Sequence, residues 1–179
     1  NAHALRPPGS HAEAVQFLNQ EPSKFGTPAI RTRMRKNLNI LTLEGQRAPE
    51  LEIREWLGPK PQSLIKLRGG PVLLFFWVHY CEDSRTQGRV LARVWNRFSQ
   101  RGLMLIAPTR RYGHLDEHRQ RPAAARQEKQ YIDKVFSKSY AGLAGMSVPI
   151  SERNFDVYGV SATPTLVLVG RDGIVSFYH

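Results

Sequence analysis

Val72-Leu73-Leu74-Phe75-Phe76-Trp77-Val78-His79-Tyr80-Cys81-Glu82-Asp83-Ser84-Arg85 decides the fold of this chain. Its first half is continuously apolar and rich in β-branched and aromatic residues, which is how a central strand reads when both of its faces are covered. The run stops at Cys81. Beyond it Val90, Leu91, Val94 and Phe98 fall at helical spacing among charged residues, which predicts one amphipathic helix over roughly 82–100. Gly102 sits just past the end of that helix, where a left-handed residue is favoured. Residues 103–107 read as a second buried strand. Strand, helix and strand in this order imply a parallel pair joined by a right-handed crossover.

Working outward, Ala48-Pro49-Glu50-Leu51-Glu52-Ile53 reads as a turn leading into a short alternating strand. Leu64 to Leu67 form an apolar turn closed by Arg68-Gly69-Gly70-Pro71. Residues 109–145 are long and polar. Within them Pro122, placed in a first helical turn, predicts a helix running through Tyr140. Residues 151–158 predict a short helix with Ser151 as N-cap and Asn154 three residues on. Thr165 to Val169 is a strand, Arg171-Asp172-Gly173 a tight turn, and 174–178 the return strand of a hairpin. The pattern supports an α/β domain over 40–179, with an insertion at 109–145. Residues 1–39 read as an N-terminal extension that wraps around the domain or trails from it. Ser10 caps a short helix there, carrying Val15, Phe17 and Leu18.

Composition narrows the function. The 179 residues suit one domain with embellishments. Net charge is +11, which favours anionic partners, nucleic acid or an anionic membrane surface among them. The densest basic stretch is Arg31-Thr32-Arg33-Met34-Arg35-Lys36, and Arg110, Arg111, Arg119, Arg121 and Arg126 form a looser group. No zinc-ligand spacing, RNA-binding aromatic motif or helix-turn-helix pattern accompanies these charges. They therefore read as a solvated basic face, with no specific nucleic-acid partner expected. Weak association with an anionic membrane remains as a role for residues 31–36. No apolar run approaches the roughly 20 residues needed to span a bilayer. The sequence begins at Asn1 rather than Met, which leaves a removed signal peptide or anchor open. A single cysteine excludes an internal disulfide and does not decide the redox compartment.

Cys81 carries the chemistry. A cysteine where a strand meets a helix start has its sulfur near unpaired backbone N–H groups and the positive helix end, and both favour the thiolate nucleophile. His79 and Arg85 stand close enough in sequence to tune the thiol. Glu82 and Asp83 oppose them. His79 reads either as a tuning group on the Cys81 side of the chain or as a partly exposed polar residue. His114 and His118, four apart with Asp116 and Glu117 nearby, have a spacing that would suit a metal if they lay on a helix. In so polar a loop they read as solvated, and neither a metal nor a cofactor is expected. Tyr112 and Tyr131 read as packing residues.

These segments resemble the thioredoxin-like superfamily. Phe75 through Arg85 is similar to the stretch in which an apolar strand ends in Trp-Cys-x-x-Cys-Lys and opens a helix. Tyr158-Gly159-Val160-Ser161-Ala162-Thr163-Pro164-Thr165 is similar to the family's cis-proline loop. The lead-in from Ala48 through Val72 resembles the TlpA/ResA branch, related to AhpC/TSA proteins, whose members are extracytoplasmic thiol-disulfide oxidoreductases often tethered to bacterial membranes. The resemblance spans about 43–179 and implies a three-layer α/β/α sandwich with a mixed central sheet. It further implies Cys81 as nucleophile, with Tyr80, Glu82, Asp83, Thr163 and a cis Pro164 around the bound substrate.

The sequence departs from that pattern where mechanism is decided. The second motif cysteine is Ser84, giving a CxxS motif, natural or engineered. A hydroxyl cannot form the S–S bond that resolves a mixed disulfide, so release needs an outside thiol. Ser84 retains the capacity to donate a hydrogen bond to the Cys81 thiolate, or reads as a solvated or capping serine. Tyr80 replaces the usual Trp, and the chain stops at His179, where the family carries a final helix. The Pro and Thr that precede a peroxidatic cysteine are absent, since Phe76, Trp77, Val78 and Tyr80 stand there. The expectation is monothiol exchange with a protein or small-molecule disulfide. The alternative is a redox-inactive module that binds a protein client.

Overall fold

The computed structural model describes residues 42–143 and 145–179, together with Thr27, Ile30, Met34, Leu38 and Asn39. The expected helix near Ser10 and the basic residues flanking Met34 lie outside the described residues. A four-stranded sheet forms the centre. Its second strand in the chain, β2 (Val72–Phe76), follows a two-residue strand, β1 (Trp56–Leu57). β2 pairs in parallel with β3 (Met104–Ile106), with Leu73 opposite Leu105. On its other side it pairs antiparallel with β5 (Thr165–Val169), with Leu74 opposite Val167. β6 (Val175–Tyr178) returns along β5 and completes the order β3-β2-β5-β6. β1 pairs antiparallel with β4 (Val148–Pro149). Single parallel bridges, Ile106 to Ser147 and Thr109 to Ile150, link that ribbon to the end of β3.

Side chains alternate across β2 because strand residues point to opposite faces. Val72, Leu74, Phe76 and Val78 join Phe155 and Tyr158 of α4 (Glu152–Tyr158). Phe75 and Trp77 join Leu91 of α2 (Gly88–Phe98) and Ile132 and Val135 of α3 (Ala125–Ser139). Helices thus cover both faces in a three-layer α/β/α arrangement. Both faces of β2 are dry, which is why its sequence shows no polar alternation. Before α2 runs the short α1 (Glu82–Thr86). Asn39 ties the start of the described chain to the end of α4, its Nδ2 donating to the Tyr158 carbonyl at 2.6 Å. Among the described residues, no helix is long and apolar enough to cross a membrane.

Four local expectations are corrected. Residues 48–53 form no strand. Their polar groups are met by side chains from α4: Asn154 accepts from the Glu52 N–H (2.7 Å) and donates to the Glu52 carbonyl (3.0 Å). The helix expected over 82–100 is broken at Gln87 into α1 and α2, followed by a 3-10 turn at Ser99–Arg101. Gly88, at the break, lies so close to the Ser139 carbonyl oxygen that any side chain would overlap it. Pro122 stands outside α3 and bridges instead to His114. Ser151 does occupy the N-cap of α4, but its hydroxyl donates to Glu52 (2.6 Å) and makes no cap bond.

Candidate functional site

Cys81 is the N-cap residue of α1, with extended backbone (φ −76°, ψ 117°). The chain turns there because the Cys81 N–H donates back to the Val78 carbonyl (3.2 Å) and the Cys81 carbonyl accepts from Arg85 N–H (3.3 Å). The thiol is half-buried and donates to the Thr163 carbonyl at 3.4 Å. The Thr163-Pro164 peptide bond is cis. Two segments 82 residues apart in sequence therefore meet at one sulfur. Around it opens a groove of about 380 Å³ lined by Tyr80, Cys81, Glu82, Asp83, Glu117 and Thr163.

Glu82 and Asp83 are exposed and fill the first turn of α1, where negative charge is favoured by the helix dipole. Arg85 faces Glu82 at 3.8 Å, an exposed pair of small energetic weight. Arg85 thus has a carboxylate partner beside the thiol. Tyr80 is half-buried and meets Tyr112 edge to face, ring centroids 5.2 Å apart and planes at 77°. Burial first, and the neighbouring Tyr112 hydroxyl second, push the Tyr80 phenol well above its ordinary range. It stays a neutral hydrogen-bonding group. The Tyr112 phenol is raised by burial as well.

Ser84 is fully buried, and among the described residues its hydroxyl has no hydrogen-bond partner. It is neither solvated nor capping, and no bond joins it to Cys81. Its backbone carbonyl accepts from Tyr140 Oη at 2.8 Å, which pins this turn to the end of α3. An unpartnered buried hydroxyl costs desolvation energy without return. Ser84→Ala is accordingly expected to leave stability unchanged or raise it by up to about 1 kcal/mol, as urea unfolding would measure. A loss above that range would reveal a partner for the hydroxyl.

His79 is corrected from a partly exposed residue to a fully buried one, at 0% exposure. Its Nε2 lies 2.8 Å from the His114 carbonyl and 3.9 Å from Glu128 Oε1. Burial lowers its pKa, and the His114 carbonyl and Glu128 oppose that shift without reversing it. His114 and His118 are not on a helix, so the face that would pair them does not exist. His114 is buried, its Nδ1 2.6 Å from the Asp116 carbonyl, while His118 is exposed. Among the described residues, no three His, Cys, Asp or Glu gather as metal ligands would.

Sequence reasoning missed Glu128 and gave Glu117 the wrong neighbourhood. Glu128 is buried, and its carboxylate accepts from the N–H groups of Tyr112 (2.6 Å) and Gly113 (3.0 Å). A signal existed: Glu128 precedes Ile132 by four residues and Val135 by seven, so it shares the apolar face of α3. Glu117 reaches the groove only because the chain folds back there, Leu115 N–H donating to the Arg121 carbonyl at 2.9 Å.

No family model matches the chain, and no curated protein matches it. Solved structures do. The thioredoxin domain of a thiol-disulfide oxidoreductase from Bacteroides vulgatus is similar at TM-score 0.56 and 19% identity, over 76% of this chain and 87% of that one. A candidate DsbE thiol:disulfide interchange protein from Chlorobium tepidum is similar at TM-score 0.54 and 21% identity, over 76% and 84%. A thiol:disulfide interchange protein from a Bacteroides species reaches TM-score 0.51 at 17% identity, over 76% and 80%. At such identities it is the path of the backbone that is shared. Mixed sheet, helices on both faces and these likenesses together give the chain a thioredoxin-like fold.

Proposed function

We propose that the chain performs thiol–disulfide exchange as a monothiol, with Cys81 as nucleophile and Ser84 in the place where a resolving thiol would act. One observation carries the reading: the Cys81 sulfur sits half-buried on the wall of an open groove, 3.4 Å from the Thr163 carbonyl. The Cys81 thiolate attacks one sulfur of a disulfide RS–SR′. The Cys81–SR bond forms, the S–S bond breaks, and R′S⁻ leaves and takes a proton from water. An external thiolate R″S⁻ then attacks the SR sulfur, forming RS–SR″ and returning the Cys81 thiolate. The net reaction is interchange, with no change in the number of disulfides. Thr163 and Pro164 would present backbone to an extended substrate, with Tyr80, Glu82 and Asp83 forming the adjoining wall. The substrate is a protein or small-molecule disulfide, and the mechanism uses no cofactor. By resemblance we place this activity outside the cytoplasm.

The trapped intermediate tests it. With excess hydroxyethyl disulfide, mass spectrometry should find a mixed disulfide on Cys81 that persists until thiol is added. Cys81→Ser should form none. Absence of the adduct, under conditions where a cysteine peptide forms one, would refute the proposal. The competing reading is favoured by the acidic Glu82 and Asp83 beside the thiol. It predicts client binding that survives Cys81→Ala.

A further inference from the structure

We propose that His79 is an acid-sensitive latch, a positioning residue that holds the loop of residues 112–123 closed against the Cys81 groove. The link to the thiol rests on the reading above; the latch itself rests on geometry. A carbonyl oxygen can only accept, so the 2.8 Å contact with His114 assigns the hydrogen to Nε2 of His79. Nδ1 is left as a bare lone pair, buried and without a partner among the described residues. A second proton placed there would have no acceptor.

Groups from three elements pack on the His79 ring. From its own segment comes Tyr80, centroids 5.0 Å apart and rings at 85°. From the loop come Tyr112 at 6.4 Å, the His114 carbonyl and the His114 imidazole, whose own charge would further disfavour a protonated His79. From α3 come Tyr131 at 5.8 Å and Glu128. Arg110 and Arg121 lie over the rings of Tyr112 and Tyr131, 4.5 and 5.9 Å from their centroids, and would repel an imidazolium. Among the described residues Glu128 is the one anion facing the ring, and its oxygens already serve the Tyr112 and Gly113 N–H groups. Turning Glu128 toward a charged His79 would release those groups. Letting the ring swing out to water would break the bond to His114. Either way the loop that carries Glu117 into the groove wall comes free at its base.

Burial lowers the His79 pKa from its ordinary 6.5 in the closed form, and opening restores it. The open form therefore binds more protons below 6.5. The contribution of neutral His79 to closure is whole above that pH and is lost progressively as pH falls from there toward the lowered pKa of the closed form.

Amide exchange at Tyr112 and Gly113 in the full chain reads the latch, after correction for intrinsic exchange rates. Protection should change little from pH 7.5 to 6.5 and then fall with decreasing pH, by at most about tenfold per pH unit. In His79→Gln, which keeps a donor for His114 without titrating, protection should stay flat. Flat protection in the wild type overturns the proposal. If the variant does not fold, the wild-type imidazole can be titrated by NMR, and an ordinary pKa with the loop still protected overturns it equally. The link to the groove is read by iodoacetamide. The wild-type rate divided by that of His79→Gln cancels the thiol's own ionisation and should rise about threefold from pH 7 to 5.5 as the wall opens. A constant ratio breaks that link. Neither readout requires Cys81 to react with a disulfide, so failure here is distinct from failure of the exchange reading.

Discussion

Under the monothiol exchange proposed above, Ser84→Cys is expected to convert a protein that stalls as a mixed disulfide into one that turns over. In insulin reduction driven by dithiothreitol, the wild type should add little to the reductant alone, and the variant should accelerate precipitation on the order of a hundredfold. The reason is molecularity. In the wild type each adduct waits for an external thiol at millimolar concentration. In the variant a second sulfur stands one helical turn from Cys81, on the same face of α1. Even imperfect orientation gives an effective concentration far above millimolar. The scaffold accommodates the change, because Ser84 is buried and its hydroxyl is unpartnered, and a thiol is less costly to bury than a hydroxyl. Tyr140 keeps the turn in place through the Ser84 carbonyl, which the substitution leaves untouched. A folded variant whose two cysteines neither pair nor raise the rate would show that the groove is no redox scaffold.

Gly88→Ala should reverse the usual sign of its substitution type. Inside a helix, alanine is ordinarily better than glycine by up to about 1 kcal/mol. Here a Cβ would overlap the backbone oxygen of Ser139 and stand 3.2 Å from Cδ1 of Tyr140. A backbone carbonyl at the end of a packed helix has little room to move, so α2 and α3 must separate. Overpacking of this kind costs about 1–3 kcal/mol, and the upper part of that range is expected because the clash is with backbone. Chemical denaturation measures the loss. A stability gain would mean that the α2–α3 contact is looser than described. The substitution also shifts Tyr140 and hence the turn at Ser84, so it should slow formation of the Cys81 adduct as well.

Much of the fold was legible before any coordinates. The seven apolar residues from Val72 to Val78 read as a strand covered on both faces, and the first five of them form β2. The hairpin at Arg171-Asp172-Gly173 was legible because its determinants are local. Gly173 takes φ 83°, and the Asp172 carboxylate accepts from the Ile174 N–H two residues on. The candidate site was legible in part. Cys81 and Thr163 stand in two motifs far apart, and the sulfur and the carbonyl do meet. Glu128 was passed over, because a lone acid in a charged helix looks solvated until the loop whose N–H groups it accepts is folded onto it.

Where apolar residues cluster, their burial follows from the chain itself, since leaving water is favourable against any partner. On those grounds the sequence alone determined the central strands, their order with the crossover helix, and a thiol at the strand's exit. Polar residues are different: burial costs them energy unless a particular partner compensates. Whether Glu52 is held by a strand or by Asn154, 102 residues away, is therefore a tertiary decision. So are the break before Gly88, the burial of the Ser84 hydroxyl without a partner among the described residues, and the enclosure of His79, because each depends on a distant segment that no local pattern announces.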